Sequence, residues 1–176
     1  MKRIKILLSA VVVLLVFSCK DEKKQDDLDK LPETFNVSFN LVVKKDDVFQ
    51  LYFTQDGTLN FGDASSVKSV VKGSDLPQEI LFKLPVDVLP TNIRLDFGDN
   101  KDQENVVVNS MKLKYFDKVF NANKNLVKNY FYMVDAQVKY DEKTSTVMIQ
   151  KPANQVYDPI MWSNELLSVE LTKLVK

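Results

Sequence analysis

The stretch Thr34–Val43 reads TFNVSFNLVV, and its alternation of apolar and polar side chains decides the fold class. An extended chain points successive side chains to opposite faces, so Phe35, Val37, Phe39 and Leu41 share one face. A face of this kind is buried against a core while the opposite face meets water. The stretch therefore predicts a half-buried β-strand at the start of the folded chain.

Similar stretches recur along the rest of the chain and are separated by turn signals such as Asp46-Asp47, Gln55-Asp56-Gly57 and Gly98-Asp99-Asn100. Further strands are predicted at Val48–Phe53, Ile80–Leu84, Asn92–Phe97, Val106–Tyr115, Tyr130–Val134, Gln137–Tyr140 and Thr146–Ile149. About eight to ten short strands with little helical periodicity favour an all-β fold. We predict a single antiparallel, jelly-roll-like β-sandwich over residues 34–176.

The last segment is ambiguous between a strand and a helix. Leu167, Val169 and Leu171 alternate with polar residues, which predicts a strand. Leu167, Leu171 and Leu174 are also spaced helically, so a helix beginning at Asn164 is the alternative. We predict the strand.

Residues 1–18 are typical of a bacterial lipoprotein signal peptide. Three basic residues precede an apolar run from Ile6 to Phe17, which is too short for a resident transmembrane helix. The run ends at Ser18-Cys19, and this arrangement around the only Cys of the chain resembles a lipobox, which implies that Cys19 carries the lipid anchor. An ordinary cleaved signal peptide with an incidental Cys and an uncleaved N-terminal anchor are the alternatives.

Residues 19–33 are predicted to form a charged, flexible tether, because nine of the eleven residues from Lys20 to Lys30 carry a charge. Lys20, Asp21 and Glu22 directly follow the Cys and resemble the export tag of surface lipoproteins in the Bacteroidetes. This resemblance implies lipid anchoring in the outer membrane, with the domain at the cell surface; its periplasmic face is the alternative.

The composition excludes several classes of function. The chain has no His, so hydrolases that need an imidazole and His-ligated metal sites are excluded. Twenty-four basic residues balance 24 acidic ones, and only Arg3 and Arg94 are arginines, so nothing favours a nucleic-acid partner. Removal of the signal peptide leaves 21 basic residues against 24 acidic ones, a mildly acidic chain. We predict that the protein is not an enzyme.

Two stretches resemble the jelly-roll, galactose-binding-like modules that accompany glycan-handling proteins in bacteria. The first contains Phe49-Gln50-Leu51-Tyr52, Gly57, Phe61 and Ser66-Val67; the second contains Leu89-Pro90, Ile93-Arg94-Leu95-Asp96, Gly98, Asn100, Val108, Met111, Leu113 and Tyr115. The second departs from the usual family pattern at Phe97, where the family usually has Pro. The resemblance implies a carbohydrate-binding-module-like fold more strongly than it implies a ligand.

Four aromatic residues are the candidates for a sugar platform. Apolar faces of sugars stack on flat aromatic rings, and the irregular stretch Pro152–Asn164 is where a loop carrying function is expected. The candidates are Tyr157, Trp162, Tyr130 and Tyr132. The alternative is that Trp162 has a structural role and packs at the end of the hydrophobic core. If Phe131 is buried, alternation leaves its two Tyr neighbours partly exposed.

The loop after Asp96 is acidic and supplies the candidate ligands for a structural Ca²⁺ ion. Oxygen ligands are what Ca²⁺ requires, although the spacing does not match an EF-hand. The residues are Asp96, Asp99, Asn100, Asp102 and Glu104. A solvated turn that uses Asp and Asn for its geometry is the alternative, and no other cofactor is predicted.

These observations favour a non-catalytic domain that binds a glycan or another ligand. An accessory subunit that docks envelope proteins through an exposed sheet face is the alternative. A weak glycosidase is the third hypothesis, because a pair of carboxylates is the minimum that such chemistry needs.

Overall fold

The computed structural model describes residues 33–133 and 136–176, and its elements lie in one compact unit. The predicted signal peptide, Cys19 and the tag residues Lys20, Asp21 and Glu22 lie outside the described residues. No helix of the described part is long and apolar enough to cross a membrane.

The described chain forms short strands and two α-helices. In chain order these are β1 (Asn36–Val42), β2 (Asp47–Thr54), β3 (Ser66–Val71), β4 (Gln78–Lys83), β5 (Asn92–Asp96), β6 (Val106–Tyr115), β7 (Lys118–Asn123), α1 (Lys124–Val127), β8 (Phe131–Tyr132), β9 (Val138–Asp141), β10 (Thr146–Ile149), β11 (Ile160–Ser163) and α2 (Glu165–Val175). Short 3₁₀ turns at Asp63–Ser65 and Lys128–Tyr130 precede β3 and β8.

The strands form two antiparallel sheets that pack face to face. One sheet has the order β4–β1–β6–β10–β9, and β7 also pairs with β6. The other has the order β3–β2–β5–β11–β8. The chain passes repeatedly from one sheet to the other, so each sheet contains strands from distant parts of the sequence. The prediction of an all-β sandwich is confirmed.

The core lies between the sheets and contains the alternate side chains of both. From β1 it takes Val37, Phe39 and Leu41, and from β2 it takes Phe49 and Leu51, all fully buried. The alternation in the sequence thus corresponds to inward and outward faces. Three strands, β3, β7 and β11, were not predicted. The stretches of β3 and β7 lack a clean alternation of apolar side chains, and β11 lies in the stretch that was interpreted as irregular.

The prediction of a C-terminal strand is wrong, because residues 165–175 form helix α2. The side chain of Asn164 accepts hydrogen bonds from Leu166 N at 3.0 Å and Leu167 N at 3.3 Å, an N-cap that satisfies two free backbone donors. The helix buries Leu167, Leu171 and Leu174 in the core. The helical spacing of these leucines therefore prevails over the local alternation.

Candidate functional site

The outer face of the five-stranded sheet, on the side away from the core, carries a row of aromatic side chains interrupted by one arginine. Tyr132 on β8 is the register partner of Trp162 on β11, and Trp162 is the partner of Arg94 on β5. Arg94 in turn is the partner of Tyr52 on β2. Cross-strand partners project from the same face, so these four side chains form a continuous strip. We call it the aromatic–arginine row.

Trp162 and Tyr132 form one end of the row. Their ring centroids lie 6.4 Å apart with an interplanar angle of 47°, and Tyr132 is 38% exposed. The Tyr132 hydroxyl donates a hydrogen bond to Glu165 Oε2 at 2.6 Å, which fixes its ring against the start of α2. This bond raises the pKa of Tyr132 and lowers that of Glu165. The two rings offer a partly exposed apolar surface.

Arg94 occupies the middle of the row. Its guanidinium carbon lies 4.0 Å from the ring centroid of Tyr52 and 5.5 Å from that of Phe61, which are cation–π distances. The Tyr52 hydroxyl donates to Asp63 Oδ1 at 3.2 Å, and this bond together with burial holds the ring in place and raises its pKa. Tyr52 is therefore a fixed support for the cation.

A cleft of about 450 Å³ begins at Tyr132 and continues beneath the start of α2. Most of its lining residues carry a hydroxyl, amide or carboxylate group, which are the groups that recognise sugar hydroxyls. These residues are Gly57, Leu59, Thr91, Asn92, Tyr132, Ser163, Asn164, Glu165, Ser168 and Thr172. Tyr132 thus belongs both to the row and to the cleft.

Asn92 organises the buried wall of this cleft. Its Oδ1 accepts hydrogen bonds from Ser168 Oγ at 2.7 Å and from Ser163 Oγ at 3.3 Å, and its Nδ2 donates to the Thr58 carbonyl at 3.1 Å. One side chain therefore links β5 to β11, to α2 and to the loop after β2. Buried polar groups in such a network are costly to leave unpaired.

The structure brings together only two of the four predicted aromatic residues. Tyr130 packs edge-on against Phe120, at a centroid distance of 5.1 Å, and Tyr157 lines a separate cavity of about 200 Å³. Phe131 is buried and Tyr132 exposed, as alternation predicts. Trp162 was assigned to an irregular stretch, but it lies in β11 because its neighbours Met161 and Ser163 point into the buried side of the sheet.

The side chains of the acidic loop serve the local backbone. Asn100 Oδ1 accepts a hydrogen bond from Asp102 N at 2.9 Å, and Asn100 Nδ2 donates to the Asp46 carbonyl at 2.8 Å. Asp99 N donates to Asp47 Oδ1 at 3.2 Å, and Glu104 lies 3.5 Å from the Lys45 ammonium. Across residues 33–133 and 136–176, no group of three or more His, Cys, Asp or Glu is placed to hold a metal ion. Calcium binding here stays a prediction.

Asp96 is the most perturbed carboxyl group near the row. Burial raises its pKa to about 6, and the nearby carboxylate of Asp158 adds to the effect. The hydrogen bond from Gly98 N to Asp96 Oδ1, at 2.9 Å, and the charge of Arg94 oppose this shift. Gly98 has a φ of 89°, in the left-handed region that favours glycine, so the turn holds its amide toward the carboxylate.

We expect Asp96→Asn to stabilise the protein above pH 7. Because the pKa of Asp96 is raised in the folded state, the protein loses stability as this carboxyl group ionises. The loss develops between about pH 4, the pKa of an Asp in an unfolded chain, and about pH 6, the pKa of Asp96 in the folded protein. The Asn variant keeps the acceptor for Gly98 N and avoids the buried charge. Its free energy of unfolding should exceed that of the wild type by about 1–2 kcal/mol above pH 7, after discounting for solvent screening.

Urea denaturation of both proteins across this pH range measures the difference. It should largely vanish near pH 3, about one unit below the unfolded-state pKa, where the wild-type carboxyl group is mostly protonated in both states. A difference that is independent of pH would contradict the raised pKa.

Comparison of the chain with known protein families, with curated proteins and with solved structures found no match. The site is therefore interpreted from its own geometry.

Tyr52 and Arg94 were not recognised as site residues from the sequence. The available signal was the alternation of side chains along each strand. Tyr52 lies between the buried Leu51 and Phe53, and Arg94 lies between the buried Ile93 and Leu95, so both residues are expected to point outward. Alternation gives the face of each residue but not the neighbouring strand, so it could not place them beside Trp162.

Proposed function

We propose that the protein is a lipid-anchored, non-catalytic glycan-binding protein whose binding surface is the aromatic–arginine row together with the adjoining cleft. The observation that carries the proposal is the pairing of Trp162 with Tyr132 on the outer sheet face, at the mouth of a cleft lined by polar groups. Rings support the apolar face of a sugar, and hydroxyl and amide groups bond to its edge.

The location supports this assignment over a purely structural role for Trp162. The residue points away from the core side of β11, where its neighbours Met161 and Ser163 are fully or almost fully buried. Its ring contact is with Tyr132, which is itself substantially exposed. An aromatic pair that is only partly covered keeps surface available for a ligand.

The proposal includes attachment to the outer membrane, with display at the cell surface. It is supported by the position of the only Cys, at the end of a short apolar run and before a charged segment. Acyl chains contribute about 0.8 kcal/mol for each buried methylene, so two or three chains anchor a protein stably. Cys19→Ser should move the protein from the membrane fraction to the soluble fraction of cells.

Binding of the full chain, purified in detergent, to a glycan array tests the proposed activity. We expect Trp162→Ala to weaken binding to the recognised glycans at least tenfold, because it removes the larger ring of the pair. Trp162→Phe should retain part of the affinity, since it keeps an aromatic face.

The matched control is Phe116→Ala, which removes an exposed ring at the β6–β7 turn, away from the row. It should leave glycan binding unchanged, and thermal unfolding should show that the variants remain folded. Absence of binding to every glycan, or equal binding by wild type and Trp162→Ala, would overturn the proposal.

A second function, docking of an envelope protein, is favoured by a different feature of the same sheet. Val48 on β2 and Val70 on β3 are register partners with exposures of 42% and 74%, at the edge of the sheet. Exposed apolar pairs beside a sheet edge suit protein contacts. Cross-linking of the full chain in cells distinguishes this function, because it should be lost in Val70→Lys but kept in Trp162→Ala.

A further inference from the structure

The aromatic–arginine row contains a cation, Arg94, that makes no salt bridge with any described residue, although Asp96 is near enough for the two charges to interact. Every ion pair within residues 33–133 and 136–176 is made by a lysine. Arg94 Nε is enclosed by protein and has no hydrogen-bond partner in this part of the chain. An enclosed donor without an acceptor is costly to the stability of the fold. Because Nε is closed to solvent, a ligand would meet the outer nitrogen atoms of the guanidinium.

The choice of arginine at this position is notable in a chain that contains 22 lysines and two arginines. Among the described residues Arg94 is the single arginine. It lies on the same outer sheet face as Tyr52 and Trp162. A guanidinium can stack its flat face on a ring while its edge donates two parallel hydrogen bonds. Lysine offers neither the plane nor the paired donors.

The Tyr52 ring supports the Arg94 guanidinium and so helps to hold its orientation. The Tyr52 ring lies 4.0 Å from Arg94 Cζ, and the Tyr52 hydroxyl is held in turn by Asp63. An arginine supported in this way loses little conformational freedom when it binds an anion. A carboxylate fits the edge of a guanidinium bidentately.

The register of Trp162 and Arg94 suits a sugar that carries its own carboxylate. Trp162 lies directly opposite Arg94 on the neighbouring strand, and adjacent strands are about 5 Å apart. A pyranose ring stacked on the indole would therefore lie beside Arg94, and a carboxylate on its rim would be the group that meets the cation. The charge of Asp96 acts on Arg94, so a polymer with several anionic groups on each sugar is less suited to this surface than one with a single carboxylate on each sugar.

We infer that Arg94 recognises the carboxylate of a uronic acid, and that the glycan bound by the row is an acidic polysaccharide. This inference rests on the proposed function and names the class of its ligand. The sugar ring stacks on Trp162 and Tyr132, and its carboxylate accepts hydrogen bonds from the Arg94 guanidinium.

The test compares binding of the full chain to polygalacturonate and to its fully methyl-esterified form, at about 0.15 M salt to screen non-specific attraction. The two polymers share their sugar rings and differ in charge. We expect at least tenfold tighter binding to the acid form. Dextran sulfate, a sulfated polyanion without carboxylates, should bind more weakly than polygalacturonate.

Arg94→Gln should remove the preference for the acid form and keep the affinity for the ester, and Arg94→Lys should restore only part of the preference. The matched control is Lys68→Gln, which removes an exposed cation from the same face, on β3 beside Gln50. This control should keep the full preference.

Equal binding of acid and ester by the wild type would overturn the inference, and this comparison holds even if an Arg94 variant fails to fold. An undiminished preference in folded Arg94→Gln, or tighter binding to dextran sulfate, would also overturn it. Binding to neutral glycans that depends on Trp162 would then leave the proposed function intact. Absence of binding to any glycan would reject both.

Discussion

Phe39→Ala should lower the free energy of unfolding by about 3–5 kcal/mol, a large part of the total stability of a domain of this size. Phe39 is fully buried on β1, where it is paired with both β4 and β6. Its ring lies 6.4 Å from that of Phe82 in the same sheet and 6.1 Å from that of Phe131 in the opposite sheet. Truncation therefore opens a cavity at a contact between the two sheets.

Urea denaturation of the full chain measures this loss, which should appear as a lower midpoint with an unchanged slope. Phe116→Ala is the matched control, because Phe116 is 52% exposed, and it should cost less than about 1 kcal/mol. A cost below about 1 kcal/mol for Phe39→Ala would contradict its central place in the core.

Asn92→Ala should lower the free energy of unfolding by about 2–3 kcal/mol through a different mechanism. It removes the acceptor for the hydroxyls of Ser163 and Ser168 and the donor to the Thr58 carbonyl. Ser163 is almost fully buried, so its hydroxyl finds no water in exchange. The loss should also loosen α2 from the sheet and so alter the cleft.

Ser168→Ala isolates one bond of this network and should cost about 1 kcal/mol. The double variant should then cost less than the sum of the two single variants, since both remove the 2.7 Å bond between Ser168 and Asn92. Strict additivity in urea denaturation would show that this bond contributes nothing to stability.

The strands with a clean alternation could be predicted from the sequence, because burial of one face imposes a period of two on the chain. β1 and β6 are examples. Residues 165–175 satisfied two patterns at once, and the outcome depended on the cap at Asn164 and on a core that accepts three leucines. β3 was missed because Val70 points outward while Ser69 lies between Val67 and Val71 on the inner face, which obscures the alternation.

The candidate site could be predicted only residue by residue. Trp162 and Tyr132 were recognised by their chemistry, but their proximity results from the pairing of β11 with β8. The pairing of β11 with β5 likewise places Arg94 beside Trp162. The neighbours of a strand depend on the long-range packing of the two sheets. A local sequence pattern therefore does not predict them.

The place of β11 inside its sheet has a consequence for the kinetics of folding. β11 is synthesised after every other strand of the described residues, yet it lies between β5 and β8. Until residues 160–163 emerge, β5 presents an unpaired edge that can template aggregation, and β8 has no partner. Pairings of such long sequence separation form slowly, so the five-stranded sheet stays incomplete until residues 160–163 have been synthesised. The aromatic–arginine row is therefore completed only when β11 joins its sheet.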